Sequence, residues 1–182
     1  MITFDMGGTS SDISLIVDGE ATLSADRSVA GEKIALSSLD IVTLGAGGGS
    51  IAWASSGGLL EVGPHSAGAL PGPACYGRGG TQASVTDANV ALGYLDPTNF
   101  LGGSDNLDMN AAHLALDELG EKLKVERLAA AEGIFRVVNT QMAEGIRLAT
   151  VRRGVDPRRF TLVGFGGAAG LHVTSLARLL DL

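Results

Sequence analysis

The chain has 182 residues, enough for one ordinary domain or at most two small ones with a genuine core, and with 45% hydrophobic but only 4% aromatic residues that core must be built mainly from Ala, Val, Leu and Ile. A net charge of −7 argues against a nucleic-acid surface, and the single cysteine, Cys75, excludes an internal disulfide and fits a reducing cytoplasm. No apolar run reaches the roughly 18 residues that cross a bilayer, and no basic-then-apolar leader opens the chain, so a soluble, cytoplasmic protein without membrane partners is expected.

Ile2 to Phe4 reads as a short strand and Ile13 to Val17 as a second, joined through Asp5-Met6-Gly7-Gly8-Thr9-Ser10-Ser11-Asp12. Gly7 and Gly8 permit a tight turn with positive φ. At its tip, backbone N–H groups and the hydroxyls of Thr9, Ser10 and Ser11 can converge on an anion. Asp5 and Asp12 bracket the tip with carboxylates suited to Mg2+ or a metal-bound water. A plain polar hairpin turn is the competing reading.

Beyond this hairpin, Ala21, Leu23, Ala25 and Val29 nearly alternate, which suggests a third strand over Glu20 to Val29. The mostly apolar Leu39 to Leu44 leads into the densest glycine loop, Gly45-Ala46-Gly47-Gly48-Gly49-Ser50. Ile51 to Ala54 and Leu59 to Val62 look like strands joined by the turn Ser55-Ser56-Gly57-Gly58. Gly63 to Gly80 carries Pro and Gly too densely for regular structure and reads as one long, ordered, irregular loop. Val85-Thr86-Asp87-Ala88-Asn89 looks like a helix start with Thr86 or Asp87 as N-cap, continued by Val90 to Leu95. A helical face follows over Asn110 to Leu123. A long helix from Val125 to Val151 then carries Leu128, Ala131, Phe135, Val138, Met142, Ile146 and Ala149 as one stripe. Phe160 to Phe165 reads as a buried strand running into Gly164-Phe165-Gly166-Gly167-Ala168-Ala169-Gly170, with a last helix over Leu171 to Leu180.

The strand-to-glycine-to-helix passage near the end is a second candidate anion pocket, because a helix start preceded by glycines offers free N–H groups. Gly164, Gly166 and Ala169 formally satisfy G-x-G-x-x-A, but that fingerprint belongs to a first βαβ unit with an acidic residue about 20 positions on. A Walker A loop is excluded, since no Gly-Lys-Ser/Thr occurs. No H-E-x-x-H pattern supports His65, His113 or His172 as ligands, and Cys75 reads as a small buried residue. Arg152-Arg153 and Arg158-Arg159 read as cations around a helix C-terminus.

Taken together, Phe4 to Ser10 with Asp12, Gly45 to Ala52, Val62-Gly63-Pro64 with Ser66-Ala67-Gly68-Ala69 and Pro71 to Gly77, Val85 to Asn89, and Gly164 to Ala168 with Leu171-His172 resemble the hydantoinase A/5-oxoprolinase family. Its relatives include ATP-dependent N-methylhydantoinases, 5-oxoprolinases and nucleotide-binding subunits of acetone-type carboxylases. One departure is Gly166-Gly167-Ala168-Ala169-Gly170-Leu171-His172, where the family usually reads Gly-Gly-Ala-Gly-Pro-Leu-His. The resemblance implies an α/β fold, one half of an actin-like (ribonuclease-H-like) ATPase with a mixed sheet and flanking helices. Residues 1–182 would form a single domain fragment, with a preceding half absent and a second, hydantoinase B-type subunit and an oligomer as partners. Met1 lying directly on a strand that enters a functional turn agrees with that expectation.

The implied ligands are ATP and Mg2+ or another divalent metal. Gly7, Gly8, Thr9 and Ser10 would meet the terminal phosphates, Gly47 and Gly48 would belong to the same site, and Gly164, Gly166, Gly167 and Ala168 would line the adenosine side. Asp5 and Asp12, with His172 beside them, would be metal residues, and Asp5, Asp12 and Asp87 the catalytic candidates, helix capping being the competing role for Asp87. The implied reaction phosphorylates the carbonyl oxygen of a cyclic amide such as a hydantoin or 5-oxoproline, and water then opens the ring. The alternative is a non-catalytic or activating subunit of a ketone carboxylase.

Overall fold

A computed structural model describes residues 1–24, 27–29, 32–34 and 37–182. Strand β1 (Ile2–Met6) and strand β2 (Ser11–Val17) form the expected hairpin, with Phe4 opposite Ile13 and Asp5 opposite Asp12. Alternation then sorts the side chains by face. Ile2, Phe4, Met6, Ile13 and Leu15 are wholly buried, whereas Thr3, Asp5, Asp12 and Ser14 are partly open.

The proposed third strand is broken. Strands β3 (Glu20–Ala21), β4 (Leu23–Ser24) and β5 (Arg27–Val29) replace it, and Ala25 lies outside the described residues. β3 folds back on the far end of β2. β4 pairs with β7 (Ser38–Leu39), and β5 pairs with β6 (Glu32–Ile34). Strand β8 (Ile41–Leu44) returns to β2, antiparallel, and delivers the chain to the middle glycine loop.

Strands β9 (Ser50–Ala54) and β10 (Leu60–Ser66) form the second expected hairpin. β10 runs four residues further than the sequence suggests, through Gly63, Pro64 and His65 to Ser66. The register shifts between Val62 and Ser66, so Pro64 sits in an irregular stretch where no ladder hydrogen bond is asked of it. The rest of the Pro/Gly segment is irregular except for one 3-10 turn at Ala74–Tyr76.

Helix α1 (Val85–Ala91) is capped by Ser84, not by Thr86 or Asp87. Ser84 takes the Asp87 N–H on its side chain while the Asp87 carboxylate takes the Ser84 N–H, a capping box with Asp87 at its third position. Helices α2 (Met109–Leu123) and α3 (Arg127–Val151) match expectation. α3 lies across the core face, with Met142 against Ser11 and Gly145 against Leu44. Ala131, Val138, Met142, Ile146 and Ala149 are buried as the stripe predicts, but Leu128, in the first turn, is 55% exposed.

Strand β11 (Leu162–Phe165) adds to β1 in parallel and completes a mixed sheet ordered β11-β1-β2-β8. It is an edge strand and not a buried one: Val163 and Phe165 share the open face with Thr3 and Asp5 and are 39% and 48% exposed. Helix α4 (Val173–Leu180) follows a 3-10 turn at Ala169–Leu171 and packs beneath β11, with Val173 against Gly164. The result is the α/β arrangement expected, a mixed sheet with flanking helices. Among the described residues no helix is long and apolar enough to cross a membrane.

Candidate functional site

The three glycine loops that stand apart in the sequence meet at one end of the sheet. The first, between β1 and β2, closes on itself through the Gly7 N–H donating to the Ser10 carbonyl at 3.0 Å. The second, Gly45 to Gly49, lies against it: the Gly48 N–H donates to the Gly7 carbonyl (3.0 Å) and the Gly49 N–H to the Gly8 carbonyl (2.6 Å). This contact explains a glycine at 47, because a Cβ there would fall 2.6 Å from the Thr9 nitrogen. Neither Gly7 nor Gly8 has positive φ, contrary to expectation, and a Cβ at either would meet no crowding; the close approach is instead demanded of Gly47 and Gly49 in the second loop.

The third loop reaches the first from β11. Gly166, at φ 90°, has no space for a Cβ, which would collide with Asp5 Oδ1 and the Met6 carbonyl. The Ala168 N–H then donates to the Met6 carbonyl at 2.9 Å. Helix α1 is tied in as well, since both the N–H and the hydroxyl of Thr86 donate to the Gly48 carbonyl, at 2.7 and 2.8 Å. Backbone thus meets backbone at every junction. Among the described residues no protein acceptor takes the N–H of Gly8 or Thr9, at the exposed tip.

Asp5 and Asp12 face one another across the ladder, on the open side of the sheet next to this tip. Asp12 Oδ1 accepts a 2.5 Å hydrogen bond from the Thr43 hydroxyl on β8, which fixes that carboxylate in place. Among the described residues there is no cluster of three or more His, Cys, Asp or Glu side chains able to hold a metal. A pair of carboxylates beside free backbone donors is instead the oxygen set that suits Mg2+, which commonly takes one or two carboxylates and completes its shell with water and phosphate oxygens.

Not every expected residue belongs to this group. Gly164 is on the core face under α4, where a Cβ would come within 3.2 Å of the Val173 side chain, so its smallness serves helix packing. Gly167 is open and unobstructed beside Gly166. Asp87 is wholly buried and its oxygens accept from four donors: the N–H groups of Ala74 (3.3 Å), Cys75 (2.7 Å) and Ser84 (2.9 Å), and the Ser84 hydroxyl (2.7 Å). It clasps the Pro/Gly segment to α1 from a wholly buried position, with three of the four donors on Oδ2 and one on Oδ1. The neighbouring Cys75 thiol is pushed far up by burial and then by the Asp87 charge, which makes it an inert core group.

His172 is also withdrawn from any metal. It is fully buried, stacked on Phe135 at 5.0 Å with 21° between the rings, and held by two amides. The Asn89 amide N–H donates to Nε2 at 3.2 Å, and Nδ1 donates to Asn139 Oδ1 at 3.3 Å, the pattern of a neutral ring protonated on Nδ1. Burial depresses its pKa to about 4, so it stays uncharged at neutral pH.

Sequence reasoning missed Ser66 and Thr43. Ser66 Oγ lies 3.3 Å from Thr9 Oγ1, and Thr43 orients Asp12. Alternation on β8 puts Thr43 on the face of Ile41, and Ser66 falls within the Ser66-Ala67-Gly68-Ala69 stretch of the family resemblance, but neither signal assigns a role.

A family model described as Hydantoinase/oxoprolinase matches residues 1–182. The chain is 50% identical over 178 residues to the caprolactamase subunit alpha of Pseudomonas jessenii, covering 97% of this chain and 26% of that one. Two solved structures share its shape with TM-scores of 0.90: an ATP-dependent caprolactamase from Pseudomonas jessenii, at 49% identity, and a nucleotide-free acetone carboxylase, at 29%. They are covered over 99% and 100% of this chain and 26% of each of theirs, so the chain spans about a quarter of the length of these relatives.

Proposed function

Since the chain belongs to the hydantoinase/oxoprolinase family, we propose that it is the phosphate-binding half of an enzyme that uses ATP to open a cyclic amide. The observation carrying this reading is the junction of three glycine loops at the Asp5/Asp12 pair, with the Gly8 and Thr9 N–H groups at its tip taken by no acceptor among the described residues. An unstrained lactam carbonyl is a poor electrophile and its nitrogen a poor leaving group, so hydrolysis needs activation. Bound ATP with Mg2+ would supply a phosphoryl group to the carbonyl oxygen and offset the charge that develops on it.

The chain's own residues have clear parts in such a step. Gly8 and Thr9 donate hydrogen bonds to phosphate oxygens, and the stitched backbone keeps those donors aimed before substrate arrives. Asp5 and Asp12 are the carboxylates that would hold the cation, with Asp12 already fixed by Thr43. Gly166, Gly167 and Ala168 form the adenosine-side wall, close to Asp5 because position 166 has no side chain. The other half of the cleft, and a hydantoinase B-type partner in an oligomer, would complete the active site; the relative named as a subunit, caprolactamase subunit alpha, supports a multi-chain assembly.

A second reading, the ATP-using component of a ketone carboxylase, is favoured by the equal TM-score to acetone carboxylase. One experiment separates them. In the complete enzyme that carries these residues, MgATP binding is measured by calorimetry for the wild type and Asp5→Ala, and ADP release is then followed with a neutral lactam, with 5-oxoproline, and with a ketone plus bicarbonate. Binding weakened about 100-fold in Asp5→Ala, with ADP release driven by a cyclic amide, is the expected result. A folded enzyme that binds no ATP overturns the reading, and release driven only by the ketone replaces it with the carboxylase.

A further inference from the structure

We propose that Ser66 is a positioning residue that turns the Thr9 hydroxyl outward as a donor to the phosphate chain, a role that rests on the nucleotide reading above. Ser66 ends β10 opposite Ser50, at the foot of the second glycine loop, and the next residue is pinned there by the Ala67 N–H donating to the Gly49 carbonyl at 2.8 Å. Its oxygen accepts the Gly68 N–H at 3.1 Å and lies 3.3 Å from Thr9 Oγ1. Position 49 leaves room for this contact, since a Cβ there would come within 3.1 Å of Ser66 Oγ and 2.9 Å of the Gly8 carbonyl.

Each hydroxyl has one proton to give and two lone pairs to accept with. The two oxygens therefore share one hydrogen bond, and either can be the donor. If Thr9 donates to Ser66, the outermost hydroxyl of the turn has nothing left for an anion. If Ser66 donates to Thr9, the Thr9 proton is left for an outside acceptor, on the exposed tip where the Gly8 and Thr9 N–H groups have no protein acceptor among the described residues. Phosphate oxygens only accept, so a bound phosphate chain selects the second arrangement. The Gly68 N–H, by occupying one Ser66 lone pair, narrows the alternatives further. Ser66 itself touches no phosphate. It loads the direction of the Thr9 proton before the nucleotide arrives.

The test is a double-mutant cycle in the complete enzyme, with Ser66→Ala, Thr9→Val and the pair, plus Ser66→Thr as the hydroxyl-retaining control. Affinities for ATP, ADP and AMP are read by calorimetry. Ser66→Ala is expected to weaken ATP and ADP about five- to tenfold, the effect of one hydrogen bond, and to leave AMP unchanged. The double variant should be no weaker than Thr9→Val alone, and Ser66→Thr should recover most of the loss. ATP affinity unchanged in Ser66→Ala, an equal loss for AMP, or losses that add in the double variant each overturn the proposal. Absence of ATP binding by the wild type would sink the nucleotide reading first and this role with it, an outcome visible before any variant is compared.

Discussion

The two faces of the central sheet are cut from the same strands and do opposite work. On the covered face, Ile2, Phe4, Met6, Ile13 and Leu15 are sealed under α3 and α4 and make up part of the main hydrophobic core. On the open face, one residue along each strand, stand Thr3, Asp5, Asp12 and Ser14, with the Thr3 and Ser14 hydroxyls 2.7 Å apart. The difference shows how a two-residue period separates duties: stability depends on one face, and the groups with chemistry to offer sit on the other, where changing them leaves the packing alone. Substitutions on the covered face should therefore cost folding free energy, and those on the open face should cost ligand binding. The largest effect expected is Phe4→Ala, which empties a fully buried aromatic site; urea unfolding should show a loss of about 3–5 kcal/mol. A loss below about 1 kcal/mol would mean that the face is loosely packed and break the contrast.

Acid probes the same covered side through His172, which has no charged neighbour among its contacts: Asn89 on α1, Asn139 and Phe135 on α3. Its folded pKa of about 4 lies below the ordinary value near 6.5, so in the window between them the unfolded chain binds more protons. The contribution of the neutral ring is complete above about pH 6.5 and is lost as pH falls toward 4. By pH 5 the loss should reach about 2 kcal/mol, and near pH 4 about 3 kcal/mol. Urea midpoints of the wild type and His172→Gln across pH 7.5 to 4.5 test this, since the variant should lack that part of the slope. Parallel curves would show that the ring is not held neutral by its burial.

How much of this was legible in the sequence depends on the distance over which each signal acts. The hairpin around Asp5 and Asp12, the three glycine clusters and the helices α2 and α3 follow from local alternation, turn residues and the 3.6-residue stripe, and all are where they were read. What failed was tertiary. Nothing in Gly45 to Gly49 says that its N–H groups will bond the carbonyls of Gly7 and Gly8. Nothing near His172 reveals that Asn89 and Asn139 close over it; the local pattern speaks against a ligand, and the place of His172 among the candidate metal residues comes with the family resemblance. β11 has the composition of a buried strand, yet it lies at the sheet edge with one face uncovered, a matter of topology that composition does not carry. The local sequence at Asp87 fits either a base or a cap; its four donors come from two segments, Ala74-Cys75 and Ser84, which the fold brings together.

The smallest expected change in stability gives the sharpest form of the comparison. Asp12→Asn sits on the open face directly opposite Asp5, and the new side chain keeps an oxygen to accept the Thr43 hydroxyl, so no buried group is orphaned. It also removes one of two like charges facing across the ladder, an arrangement that is mildly destabilising. Without ligand, the stability of Asp12→Asn should stay within about 0.5 kcal/mol of the wild type, and any shift should be toward greater stability. On the proposed cation site the same substitution would leave Mg2+ with one carboxylate in place of two, so the Mg2+ concentration that half-saturates ATP binding should rise about tenfold or more, read by calorimetry in the complete enzyme. A variant that loses stability would mean that Asp12 belongs to the scaffold, and one that binds MgATP as before would move the cation off this pair. Unchanged folding with weakened cation binding is the outcome expected of a face that carries chemistry and little of the core.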